Sequence, residues 1–209
     1  MAALEVGQRA PAFRLPSGQG PEVGLEDYRG RSNLIVWFTK GMACAFCRQH
    51  MSQLARAYPR FKALNTEVLE VTLTKPDRAR FYVKSFPIPF PYLCDPDYRV
   101  RRSYGLDVRS HSIVWYAKVF YVASKAPHPP PNELGAAKPA LGEFPALLAD
   151  EDLGFFIVDR EGVVRYTLAG SYVMPAGSSP APGIMARAIP GNDEIIRHLE
   201  QCEEASPRA

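Results

Sequence analysis

The sequence has no uninterrupted apolar run long enough to cross a bilayer. Its longest apolar stretch, Ile113 to Ala123, is broken by Lys118 and falls far short of the ~20 residues that a transmembrane helix needs. Residues Met1 to Pro11 carry Glu5 and Arg9 where a secretory leader would hold its apolar segment, so a cytoplasmic protein is expected, without membrane partners. Net charge is scarce as well. Twenty-five Lys and Arg against 22 Asp and Glu leave +3, too little to predict a nucleic-acid partner or an anionic surface. Glycine-rich phosphate-binding fingerprints are absent, so no nucleotide cofactor is implied, and no other cofactor is expected. Cysteine is sparse too, at four residues. A chain of 209 residues buries about 70% of its unfolded surface without any disulfide scaffold. The four cysteines therefore need a chemical explanation, and in a reducing compartment a close pair is more often catalytic or metal-binding than structural.

What is present reads as one globular α/β domain over residues 1–209, with 46% hydrophobic and 22% charged residues. Two β-branched apolar runs, Asn33 to Phe38 and Val68 to Thr74, read as strands, the first as a buried central one. Between them, Cys47 to Leu64 places Met51, Leu54, Ala55, Tyr58 and Phe61 at helical spacing. Strand, helix, strand with a crossover of this length favours parallel pairing. Further expectations are a helix from Asp77 to about Ser85 capped by Asp77, a short strand at Tyr92 to Cys94, and a helix at Tyr98 to Tyr104. A hairpin is expected from Phe155 to Asp159 and Val163 to Thr167, and a closing helix from Asn192 or Asp193 through Glu203. Two stretches interrupt the rhythm, Ala126 to Pro145 with six prolines and Met174 to Pro190 with four. Both read as long loops. His111 to Lys125 is assigned to a helix that packs on the core or on a second subunit of a homodimer.

The strongest chemical signal is Cys44-Ala45-Phe46-Cys47, set between the end of a buried strand and the start of a helix. A helix N-terminus offers unpaired N–H groups and a partial positive charge. Both favour a thiolate, the nucleophile of disulfide exchange and peroxide attack. The spacing puts the second sulfur one turn along, close enough to close a small disulfide. Lys40 and Arg48 add positive charge nearby. The same thiols with His50, three residues after Cys47, suit zinc or copper, although a fourth ligand is missing nearby in sequence.

Several segments resemble the AhpC/TSA peroxiredoxin family, which comprises alkyl hydroperoxide reductases and thiol-specific antioxidants. They are the opening VGQRAPAFRLP at Val6 to Pro16, VGLEDYRG at Val23 to Gly30, and LCDPD at Leu93 to Asp97 with SYGL at Ser103 to Leu106. Leu153 to Asp159 with Glu161 to Val164 completes the set. The resemblance runs from residue 6 to 167, about three quarters of the chain. It implies a thioredoxin-like fold, a central mixed sheet with flanking helices, with an insertion at about 107–152. It also implies a thiol-dependent oxidoreductase that cycles Cys44 and Cys47 between dithiol and disulfide. The substrate would be a peroxide or disulfide, and the reductant a thioredoxin-like protein or a low-molecular-weight thiol. Where typical members carry proline, threonine and arginine around the peroxidatic cysteine, this chain has Lys40, Cys44 and the pair Leu153-Gly154. The segment around Cys44 is similar instead to the branch with a CxxC on the first helix. The peroxiredoxin register makes Cys47 peroxidatic with Cys44 resolving, whereas the thioredoxin register reverses the roles, and the reading leans to Cys47. Gly41 is a supporting residue, and Gly154 is expected to give the close backbone approach that thioredoxins obtain from a proline. Cys94 reads as core and Cys202 as a bystander. Tyr98, Arg99, Arg101, Arg102, Tyr104 and Arg109 read as the solvated face of an amphipathic helix. The competing function is a non-catalytic carrier of zinc or copper on Cys44, Cys47 and His50.

Overall fold

The computed structural model describes residues 3–109, 112–115, 117, 121, 134–135, 137–171, 173–174, 185–186 and 189–205. In chain order, a small hairpin of β1 (Arg14–Leu15) and β2 (Val23–Gly24) precedes β3 (Asn33–Thr39), α1 (Ala45–Ala63) and β4 (Thr66–Thr72). Then come α2 (Pro76–Ser85), β5 (Tyr92–Cys94), α3 (Arg99–Ser103) and β6 (Val108–Arg109). They are followed by α4 (Phe144–Leu148), β7 (Asp150–Val158), β8 (Val164–Ser171), β9 (Val173–Met174), β10 (Met185–Ala186) and α5 (Asn192–Ala205).

The central sheet has the order β5–β4–β3–β7, with β8 pairing along β7 and β6 pairing at its start. β3 pairs in parallel with β4 and antiparallel with β7, so the sheet is mixed. The continuous apolar run of β3 has a direct cause: both of its faces are covered. Ile35 and Trp37 enter one core with Met51, Leu54, Ala57 and Phe61 of α1 and Ile195 and Leu199 of α5. Leu34, Val36 and Phe38 enter the other, against Leu15, Leu25, Tyr104 and Phe156. The parallel β3–α1–β4 unit is the one read from the sequence.

Several boundaries differ from the sequence reading, each for a local reason. α1 starts at Ala45, with Cys44 as its N-cap, so Cys47 sits inside the first turn. Ala57 is the buried residue of its middle turn, while Ala55 and Tyr58 are only half-buried. α2 is capped by Lys75 with Pro76 in the first turn, where its missing N–H is harmless; Asp77 lies inside the helix. β7 begins at Asp150, five residues before the expected strand, because Asp150, Glu151 and Asp152, which the sequence reading left in the insertion, are buried beside cations. Arg109 reaches Asp152 at 2.7 Å and Asp150 at 3.9 Å, and Arg101 lies 3.9 Å from Glu151. The presumed solvated face after Asp97 is split. Arg99 and Arg102 are exposed, but Arg101 and Tyr104 are fully buried. The end of the first proline-rich stretch holds a helical turn at Leu141–Glu143 that runs into α4. The helix expected over His111 to Lys125 lies largely outside the described residues, as does most of Met174 to Pro190. No helix among the described residues is long and apolar enough to cross a membrane.

Candidate functional site

β3 ends at Thr39, and the next five residues deliver Cys44 to the start of α1. Gly41 makes the turn with φ +77°, a conformation open to glycine. It also has no room for a side chain, since a Cβ there would lie 2.2 Å from the Tyr92 hydroxyl oxygen and 2.7 Å from Thr74 Oγ1. Both of those groups are part of the loop's support. The Met42 N–H donates to Tyr92 Oη at 3.0 Å, Tyr92 and Thr74 hydroxyls meet at 2.7 Å, and the Gly41 N–H donates to Thr39 Oγ1 at 2.8 Å. From the helix side, the Arg48 guanidinium donates to the Met42 carbonyl at 2.5 Å.

This scaffold sets the two sulfurs. The Cys47 N–H points at Cys44 Sγ, 3.3 Å away, so the sulfur occupies the place of a capping oxygen on one of the orphan donors of the first turn. An N–H aimed at sulfur at the positive end of a 19-residue helix favours negative charge on it. Cys44 keeps 9% exposure whereas Cys47 has none. The Lys40 ammonium donates to the carbonyls of Leu147, at 2.9 Å, and Ala149. It thereby clamps the α4 segment beside the loop. Arg78 holds the same segment through Glu143 and the Lys138 carbonyl. Between loop and segment lies a cleft of about 310 Å³, walled by Lys40, Ala43, Thr74, Lys75, Glu143 and Leu147, a size that suits a small substrate or a segment of one.

Of the residues singled out from the sequence, Cys44, Cys47, Lys40, Gly41 and Arg48 converge on this loop. Gly154 does not. It pairs with Phe38, and a Cβ on it would meet Leu106, Phe156 and Phe38, so it faces the core on the opposite side of the sheet from the cysteines. Cys94 and Cys202 are buried, and burial raises their thiols to about 12 and about 11. His50 is half-buried: desolvation lowers its imidazole to about 4, and Nδ1 has no hydrogen-bond partner among the described residues. Among the described residues, no group of three or more His, Cys, Asp or Glu side chains gathers in metal-binding geometry. The sequence reading missed Thr39, Glu70 and Tyr92. The available signal was Glu70 itself, an acid inside an otherwise apolar strand.

The half-buried imidazole has a stability consequence. Its folded value is depressed, so the unfolded chain takes up the proton first as pH falls. The fold should therefore lose stability between about pH 6.5, the unperturbed value, and about 4. Urea midpoints measured across that window should fall for the native chain, and less steeply for His50→Gln.

A sequence model of the AhpC/TSA family matches residues 6–128. The chain belongs to the AhpC/TSA family. A Mycobacterium tuberculosis relative whose name places it among the peroxiredoxins is 31% identical over 102 residues, 49% of this chain and 64% of that one. The thiol-disulfide oxidoreductase ResA of Bacillus thuringiensis is 25% identical over 104 residues, 49% of this chain and 59% of its own length. The chain thus spans about three fifths of the first curated relatives it matches. Among solved structures, the reduced 2-Cys peroxiredoxin of Plasmodium vivax superimposes with a TM-score of 0.59 at 16% identity, covering 96% of this chain and 98% of its own. That likeness establishes a thioredoxin-like, peroxiredoxin-type fold.

Proposed function

We propose that this AhpC/TSA protein is a thiol-dependent oxidoreductase that reduces a disulfide or a peroxide by cycling Cys44 and Cys47 between dithiol and disulfide. The observation that carries the reading is the Cys44 sulfur capping α1 with the Cys47 N–H upon it. For a disulfide substrate, the Cys44 thiolate attacks one substrate sulfur, breaking its S–S bond and releasing a thiolate. Cys47 then loses its proton and attacks Cys44 Sγ, releasing the second substrate thiolate and leaving the Cys44–Cys47 disulfide. Two electrons have passed to the substrate. A thioredoxin-like protein or a low-molecular-weight thiol returns the pair to the dithiol, in keeping with a cytoplasmic setting. For a peroxide, attack on the O–O bond gives a sulfenic acid and an alcohol or water, and the second cysteine condenses with the sulfenic acid to expel water.

The partial exposure of Cys44 and the full burial of Cys47 favour Cys44 as the first attacker, against the lean toward Cys47 drawn from the family register. Incubating the reduced protein with one equivalent of hydrogen peroxide, and separately with one equivalent of a small disulfide, tests the function by loss of thiols. Loss of two thiols with formation of the Cys44–Cys47 disulfide is expected. Inertness to both oxidants would overturn the proposal, and tight stoichiometric zinc or copper in the same sample would move the assignment to a metal carrier.

A further inference from the structure

We propose that Glu70 is a positioning residue of this thiol centre, a buried carboxyl whose proton is exchanged against the charge on the Cys44 sulfur, so that it sets the pH at which that sulfur becomes nucleophilic. The inference rests on the thiol-dependent reading and adds a group which that reading does not use.

Glu70 lies in β4 with no solvent exposure, opposite Trp37 of β3 and Tyr92 of β5. Its Oε1 accepts the Thr39 hydroxyl at 2.9 Å, and that hydroxyl accepts the Gly41 N–H at 2.8 Å. One hydroxyl therefore joins the carboxyl to the turn that delivers Cys44. Its Oε2 has no hydrogen-bond partner among the described residues. The cations of the region are directed elsewhere: Lys40 to the Leu147 and Ala149 carbonyls, Arg48 to the Met42 carbonyl, and Arg101 to the Thr39 and Asp152 carbonyls. The titratable groups that act on it or respond to it are Cys44 from the start of α1 and the Tyr92 phenol from β5.

A buried carboxylate with a bare oxygen and no cation is costly, and a proton on Oε2 removes that cost. Burial accordingly raises Glu70 to about 8; the Thr39 hydroxyl opposes the rise and charge on Cys44 adds to it. The coupling is reciprocal: a carboxylate at Glu70 makes the Cys44 thiol harder to ionise by the same free energy. Reduction of the pair then balances as follows. The Cys44–Cys47 disulfide and the Glu70 carboxylate take up two electrons and two protons, giving the Cys44 thiolate, the Cys47 thiol and neutral Glu70. The electrons come from the thiol reductant, and one proton resides on Glu70 rather than on the attacking sulfur.

The test measures the rate of Cys44 alkylation by iodoacetamide, located by mass spectrometry, from pH 5 to 10 in the native protein and in Glu70→Gln, which keeps an oxygen for the Thr39 hydroxyl. The native curve should spread over two ionisations. The variant should show one; the two should react alike below about pH 7, and around pH 8 to 9, where the carboxylate forms in the native protein alone, the variant should react roughly twofold to threefold faster. In parallel, carbon-13 spectra of native protein labelled at glutamate carboxyls should show one carboxyl titrating far above the ordinary range in the dithiol form and lower in the disulfide form. Superimposable alkylation curves overturn the proposal. If the variant does not fold, a native protein in which every glutamate titrates in the ordinary range overturns it equally. A protein that shows the coupled titration but fails to exchange with disulfides or peroxide would retain the role of Glu70 and lose the oxidoreductase reading.

Discussion

Cys44→Ser should lower the rate of disulfide reduction by roughly a thousandfold or more, as removal of a catalytic nucleophile does. The serine can still cap α1 through its hydroxyl, so the variant should fold with its urea midpoint nearly unchanged. Cys47→Ser should behave differently. It leaves the capping sulfur in place but removes the group that resolves the mixed disulfide, so the substrate should remain covalently attached to Cys44 and be visible as a mass increment under non-reducing conditions. Stopped-flow rates and intact mass spectrometry on the two variants read both effects. A sulfenic acid that accumulates on Cys47 in Cys44→Ser, at a rate matching the native peroxide reaction, would instead assign the first attack to Cys47.

The second large effect is expected at Gly41. An alanine there takes on a left-handed backbone, which disfavours any side chain by about 1 kcal/mol or more. Its methyl group also meets the Tyr92 hydroxyl and Thr74, a form of overpacking that costs roughly another 1–3 kcal/mol. The loop can relieve the contact only by giving up the bond from Met42 to Tyr92, so the cysteines move with it. Gly41→Ala should therefore lose about 3 kcal/mol in urea unfolding and most of its thiol reactivity. Gly30→Ala is the matched comparison. Gly30 has φ +72° and open space around the position of a Cβ, so the variant should show only the backbone share, about 1 kcal/mol, with reactivity intact.

The parts of this molecule that were legible in the sequence are those governed by local pattern. The β3–α1–β4 unit follows from two apolar runs and one helical stripe, and the position of the cysteine pair follows from where strand gives way to helix. Charged residues were harder to read, because their burial depends on partners distant in the chain. Asp150, Glu151 and Asp152 fall outside the expected strand until Arg101 and Arg109 stand beside them. Arg101 looks like a surface cation until its guanidinium meets the Thr39 and Asp152 carbonyls. Glycine shows the same limit. Gly41 and Gly154 are equivalent on paper, but one turns the active loop while the other fits between rings on the far side of the sheet. Nothing local states which face of the sheet a strand glycine will serve.

Lys40 follows β3 directly and brings a side-chain donor to the loop that carries the cysteine pair. The amine here closes on the Leu147 and Ala149 carbonyls, which belong to the segment leading into β7. The loop that carries the cysteine pair and the segment that leads into β7 are thus tied through one ammonium, and a side chain without a donor at position 40 would remove both bonds at once.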